Sequence, residues 1–210
     1  MRGTFAAVFG PGMALLAVLA LAGAAAAEPS IVLPRPGQIG IGVQGQYGTL
    51  LQSGTLGQDY GAGPGMAVRA RYRMRYERAI GASFESQSFD TRNAPLASDS
   101  PFDVANGIRQ KSLILTFSGV DIYQMFGTQT RTTKMINAGI GLVQVREKLS
   151  DGEYAFPGDA MYLSAGAGLE RFFWRSWAYD LSGRYLAVLH SAKANHDLQI
   201  SLGLIFYASY

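Results

Sequence analysis

Four arginines at alternate positions, Arg69, Arg71, Arg73 and Arg75, carry the most unusual chemistry in this sequence. On a strand, residues i, i+2 and i+4 share one face, so a strand here would point all four guanidiniums the same way. With Arg184 they meet only Glu85, Glu170 and Asp180 on the matching faces of other segments. That excess of cations could bind an anion. Buried charge, however, is tolerated only when paired and hydrogen-bonded, and Arg is shaped for bidentate contact with carboxylates. The expectation is therefore an interior ion-pair network of Arg69, Arg71, Arg73, Arg75, Glu85, Glu170, Asp180 and Arg184.

Other reactive groups are sparse. His190 and Ser191 are adjacent, with His196 and Asp197 close behind. A serine nucleophile needs a base within hydrogen-bond reach and a group that orients the base, yet neighbours on a strand face opposite ways. His190 and Ser191 therefore read as polar loop residues, and no catalytic residue is expected. Asp90, Asp99, Asp103, Asp151, Glu153 and Asp159 match no Ca²⁺ loop pattern. Gly54, Gly57, Gly61, Gly63 and Gly65 lack the Lys-Ser/Thr of a phosphate loop. The absence of Cys removes disulfides, thiolate zinc sites and cysteine nucleophiles. No cofactor and no metal are expected. A net charge of +3 is not the footprint of a nucleic-acid binder.

The elements that must position the arginines follow from periodicity. Met1-Arg2 and the Ala- and Leu-rich run to Ala25-Ala26-Ala27 read as a cleavable signal peptide over residues 1–27. Residues 28–37, with Pro29, Pro34 and Pro36, read as an extended leader. Residues 38–210 then show eight segments of period two, the mark of strands with two different faces. The apolar phases run through Ile39–Tyr47, Met66–Tyr76, Ile80–Phe84, Leu113–Phe117, Ile136–Leu142, Met161–Leu169, Tyr179–Tyr185 and Leu198–Tyr210. No charge falls in them; the opposite phases carry Gly, Ser, Gln and Arg. Small and polar residues suit the narrow lumen of an eight-stranded barrel, which puts the apolar phases against lipid.

Aromatics and connections agree with that sense. Tyr76, Tyr123, Phe126, Phe172, Phe173, Trp174 and Trp177 all fall near one rim, as an interfacial girdle does. Connections near 49–64, 90–108, 147–157 and 187–195 are long, while the second and sixth are tight; 119–132 is too long for that alternation. The second and third strands are expected to turn at Glu77-Arg78-Ala79, placing Tyr72 opposite Phe84 and Arg71 opposite Glu85.

The signal segment, Asn137-Ala138-Gly139-Ile140-Gly141, Ala165-Gly166-Ala167-Gly168-Leu169-Glu170 and the terminal Leu202 to Tyr210 together resemble small bacterial outer-membrane β-barrels of the OmpA, OmpX and opacity-protein type. The resemblance implies an all-β, eight-stranded, antiparallel up-and-down transmembrane barrel. In that family the aromatic-ended last strand, here Phe206 and Tyr210, is read by the outer-membrane insertion machinery. The expectation is a non-enzymatic monomer that contacts outer-membrane lipid and lipopolysaccharide, its surface loops serving envelope integrity or surface interaction with an extracellular ligand. Two other readings remain. His190-Ser191 is similar to the His-x-Ser-Asn motif of lipid A deacylases, with altered spacing. A soluble lipocalin-like periplasmic carrier would reverse the two faces.

Overall fold

The computed structural model describes residues 33–92, 110–149, 154–189 and 194–208. The expected signal segment, residues 28–32 of the expected leader, His190, Ser191 and Tyr210 lie outside them. Eight strands follow in chain order: β1 (Ile39–Leu50), β2 (Ala62–Arg75), β3 (Arg78–Asp90), β4 (Gln110–Phe126), β5 (Thr132–Leu149), β6 (Tyr154–Trp174), β7 (Trp177–Leu189) and β8 (Asn195–Tyr207). Each pairs antiparallel with its neighbour in sequence, and β8 returns to β1, closing the barrel. Ile41 faces Phe206, Val43 faces Leu204 and Tyr47 faces Ile200 across that closing seam. Even the shortest strand, 12 residues long, exceeds the about 9–11 residues that cross a bilayer when tilted.

Both barrel termini share one end, called lower here, with the tight turns at Tyr76-Glu77 and Arg175-Ser176 and the turn at residues 127–131. The connection near 119–132 is short after all, because β4 and β5 run further than their apolar phases suggest. At the upper end the β1–β2 connection holds a short helix, α1 (Thr55–Asp59). The β5–β6 connection is only residues 150–153, since β5 and β6, at 18 and 21 residues, are the longest strands.

The β2–β3 register differs from expectation. The turn is Tyr76-Glu77, Arg75 pairs with Arg78, and an irregularity between Arg73 and Arg75 absorbs the odd residue. Tyr72 therefore faces Ile80 and Arg71 faces Gly81, while Glu85 faces Ala67. Parity alone required an odd turn; a bulge meets the same parity with a two-residue turn.

Seven of the eight apolar phases point outward. Met66, Phe84, Ile136, Leu142 and Ile200 are each more than half exposed on the bare barrel wall. The exception is β4. Leu113, Leu115 and Phe117 are fully buried inside, and it is Val120 and Ile122 that face out. The reason lies in the upper lumen, which is apolar. Leu50, Leu56, Tyr60, Phe89, Val143, Val145, Tyr162, Leu186 and Val188 join the three β4 residues in one buried cluster. Phe117 meets Tyr162 edge-on at 5.2 Å between ring centroids, a favoured aromatic geometry.

The upper cluster is covered by α1. Asn195 Oδ1 accepts from the Leu56 N–H at 2.8 Å, and Arg92 donates to the carbonyls of Tyr60 (2.9 Å) and Leu50 (2.6 Å). Burial among these side chains, with Glu147 nearby, pushes the Tyr60 hydroxyl above its ordinary pKa, so it stays protonated. The lower mouth is closed by the end of the expected leader. Pro34 is buried, Leu33 packs on Phe172, Ala178, Ile205 and Tyr207, and the Gly37 N–H donates to the Arg73 carbonyl at 2.7 Å.

Phe117→Ala removes a fully buried ring and should cost about 3–5 kcal/mol in urea unfolding from lipid vesicles. Phe84→Ala, on the outer face, leaves no interior cavity and should cost clearly less.

A charged core inside the barrel

The inward phase of β2 brings Arg69, Arg71 and Arg73 into the middle of the lumen, each at most 4% exposed. Arg75 does not join them. It follows the register irregularity, pairs with Arg78 beside the turn and is exposed. Arg184 enters from β7, and the carboxylates enter from β3 (Glu85), β6 (Glu170) and β7 (Asp180). Asp121 of β4 completes the set. Sequence reasoning misses it because residues 119–132 read as a connection; β4 runs on to Phe126, and Asp121 lies on its inward face.

Four arginines and four carboxylates thus meet in the lumen, and their charges cancel. Arg69 donates to Glu85 at 3.3 Å, and Arg184 bonds the same Glu85 and Asp121, the latter at 3.3 Å. Arg71 reaches across the barrel to Glu170 and Asp180 (3.1 Å to the latter), and Arg73 donates to Glu170 at 2.8 Å. Glu170 and Asp180 are direct cross-strand partners, an arrangement that would repel without Arg71 held between them. The Tyr207 hydroxyl donates to Glu170 at 2.6 Å.

Aromatic faces and small residues complete the packing. The Arg71 guanidinium lies 4.3 Å from the Tyr123 ring centre, and that of Arg73 lies 4.9 Å from Tyr207, within cation–π range. Tyr123 and Phe172 are therefore interior residues and not part of the rim girdle. Ser164 accepts from Arg184 at 3.0 Å and donates to Asp121 at 3.4 Å. At Gly139 the missing Cβ leaves room for the Asp121 carboxylate; a Cβ there would press on Asp121 Oδ1, lie 2.8 Å from Ser164 Oγ and displace these side chains.

Above the charges sits a polar layer of Gln44, Gln46, Gln87, Gln199 and Asp197, all buried. Asp197 is held by the Gln199 amide at 2.8 Å. Chemically, this interior is a set of cross-braces. Among the described residues no group of His, Asp and Glu could hold a metal ion. His196 lies on the outer side of β8, stacked on Tyr185 with its Nδ1 2.5 Å from the Tyr185 hydroxyl.

The outer surface settles the sense of the faces. Ile41, Val43, Val68, Ile122, Leu163, Leu181 and Leu202 stand exposed around the wall, while every arginine–carboxylate pair described above is buried. A carrier dissolved in water would carry these groups the other way round. At the lower rim Tyr76, Phe126, Trp174 and Phe206 are exposed, and Trp177 packs on Phe206 at 5.1 Å. This is the aromatic girdle of a membrane barrel.

Solved structures share this architecture. Neisserial surface protein A superposes with a TM-score of 0.59 at 16% identity, over 80% of this chain and 96% of that one. The fold is that of the small outer-membrane β-barrels. The attachment invasion locus protein Ail of Yersinia pestis gives a TM-score of 0.55 at 14% identity, over 82% of this chain and 99% of that one. Ail has also been solved with the heparin analogue sucrose octasulfate. The outer membrane protein OprG of Pseudomonas aeruginosa matches at 0.52 and 9% identity, over 85% of this chain and 100% of that one. No family model and no curated protein matches the sequence.

Asp121→Asn leaves Arg184 undercompensated in the lumen and should cost about 3–5 kcal/mol. Arg75→Gln, on the exposed turn, should stay within about 0.5 kcal/mol of wild type. Equilibrium unfolding of the two variants in the same lipid checks both.

Proposed function

We propose that this chain is a non-enzymatic protein of the bacterial outer membrane, whose barrel is a rigid support for loops at the cell surface. The observation that carries the reading is the combination of an apolar exterior with an interior filled along its length. An open pore needs a wetted lumen, whereas here the apolar upper cluster, the polar layer and the ion-paired centre succeed one another. Eight strands leave only enough room for side chains. Outer-membrane barrels keep their short turns in the periplasm, so the upper end with α1 faces outward. Loops are where binding residues concentrate on rigid scaffolds, which makes the upper connections the place for a surface ligand. Phe206 at the lower rim and Tyr210 at the chain end would serve as the insertion signal.

Three outcomes test this. The protein should leave the membrane fraction only with detergent, and the folded form should shift on gels after heating. Reconstituted in a planar bilayer, it should give no steady porin-like conductance. Ser191→Ala and His190→Ala should leave the lipid A of producing cells unchanged by mass spectrometry; acyl loss that depends on either residue would establish an enzyme instead.

A further inference from the structure

The two rims differ in charge. At the lower rim Arg75, Arg78, Arg131, Lys134, Arg171 and Arg175 are exposed, against Glu77 as the one exposed acid there among the described residues. Among the described residues the upper rim mixes signs, with Asp59, Asp90, Arg92 and Asp159 exposed. Several lower cations sit among girdle aromatics: Lys134 is the cross-strand partner of Phe126, and the Arg175 guanidinium lies 5.5 Å from the Trp174 ring centre. Long basic side chains at this depth lay their stems on apolar surface and hold the charge at the headgroup level.

Within this belt the outer wall is hollowed. A groove of about 430 Å³ is lined by Met74, Arg78, Ile122, Gln124, Ile136 and Ala138, whose side chains lie on the outer face. Its volume falls within the range of small-ligand sites, about 300–1,000 Å³. The strand register gives it a direction. Arg78, Gln124 and Ile136 form one row across β3, β4 and β5, and Ile80, Ile122 and Ala138 form the next row away from the rim. The groove is thus cationic at the interface and apolar toward the hydrocarbon. Ala138, between Ile122 and Ala165, supplies the low floor.

We propose that this groove seats one anionic phospholipid of the periplasmic leaflet, its phosphate on Arg78 between Arg75 and Lys134 and an acyl chain along Ile122, Ile136 and Ala138. The inference rests on the membrane-barrel reading, with the short turns facing the periplasm. Its chemistry is charge complementarity: juxtamembrane Lys and Arg attract anionic headgroups, and Arg matches phosphate oxygens with paired donors.

The test uses the full mature chain refolded into nanodiscs of equal phosphatidylglycerol and phosphatidylcholine, with lipids retained after release into detergent counted by native mass spectrometry. Wild type should retain one phosphatidylglycerol in strong preference to phosphatidylcholine. Arg78→Gln with Lys134→Gln should lower that preference about thirtyfold, whereas Lys148→Gln at the upper end should keep it. Equal retention of the two lipids by wild type, an undiminished preference in the double variant, or displacement by excess inorganic phosphate would each overturn the proposal. So would selective retention of lipopolysaccharide at this groove in discs that contain it. Heat-modifiable folding is scored separately, so failure of the barrel reading itself is distinguishable from failure of the lipid site.

Discussion

A sheet placed in hydrocarbon must leave no backbone group without a partner, because each orphan costs several kcal/mol. Closing β8 onto β1 meets that demand, and it creates the next constraint. Eight strands enclose a lumen too narrow for bulk water and too wide to be left empty. What fills it must bridge from wall to wall. Arg71 of β2 does so by bonding Glu170 of β6 and Asp180 of β7, and Arg184 ties β7 to β3 and β4 through Glu85 and Asp121. Breaking one partner of such a pair is costly because it strands a buried charge. The cross-braces therefore hold the walls in one register as well as filling space.

The interior is zoned along its axis. Charges occupy the centre, glutamines and Asp197 lie above them, and apolar side chains fill the upper mouth under α1. The lower mouth is closed by Phe172, Ile205, Tyr207 and the returning segment Leu33–Gly37. Among the described residues, the long charged side chains inside the barrel lie where other strands offer partners. The zoning separates the two jobs of the molecule: the middle supplies rigidity, and the ends meet the surroundings.

Much of this was legible in the sequence. Period two is a geometric consequence of a strand, so the outward faces of β1, β2, β6, β7 and β8 could be read from residue type alone. The inward arginines followed from the same rule. The errors fell where the rule loses its contrast. In β4 both phases are apolar, Leu113, Leu115 and Phe117 on one and Ile114, Val120 and Ile122 on the other, so hydrophobicity could not assign the faces. The same loss of contrast ended β4 too early: residues 119–132 read as a connection, which hid Asp121 and placed Tyr123 on the rim. Arg75 continued the arginine spacing but lay beyond a bulge, a backbone irregularity that residue type does not encode. Tertiary packing also drew Leu33 and Pro34 into the barrel floor, which their proline-rich setting gave no reason to expect.

The most direct test of the account is a double-mutant cycle across the lumen. Arg71→Met and Glu170→Gln, singly and together, are refolded into lipid vesicles and unfolded with urea. Each single change should cost about 3–5 kcal/mol, and the double variant should be more stable than the sum of the two by well over 1 kcal/mol, because it restores the charge balance of the lumen even though Asp180 and Arg73 each still lose a partner. Additive losses, or single variants as stable as wild type, would contradict a barrel braced by buried ion pairs.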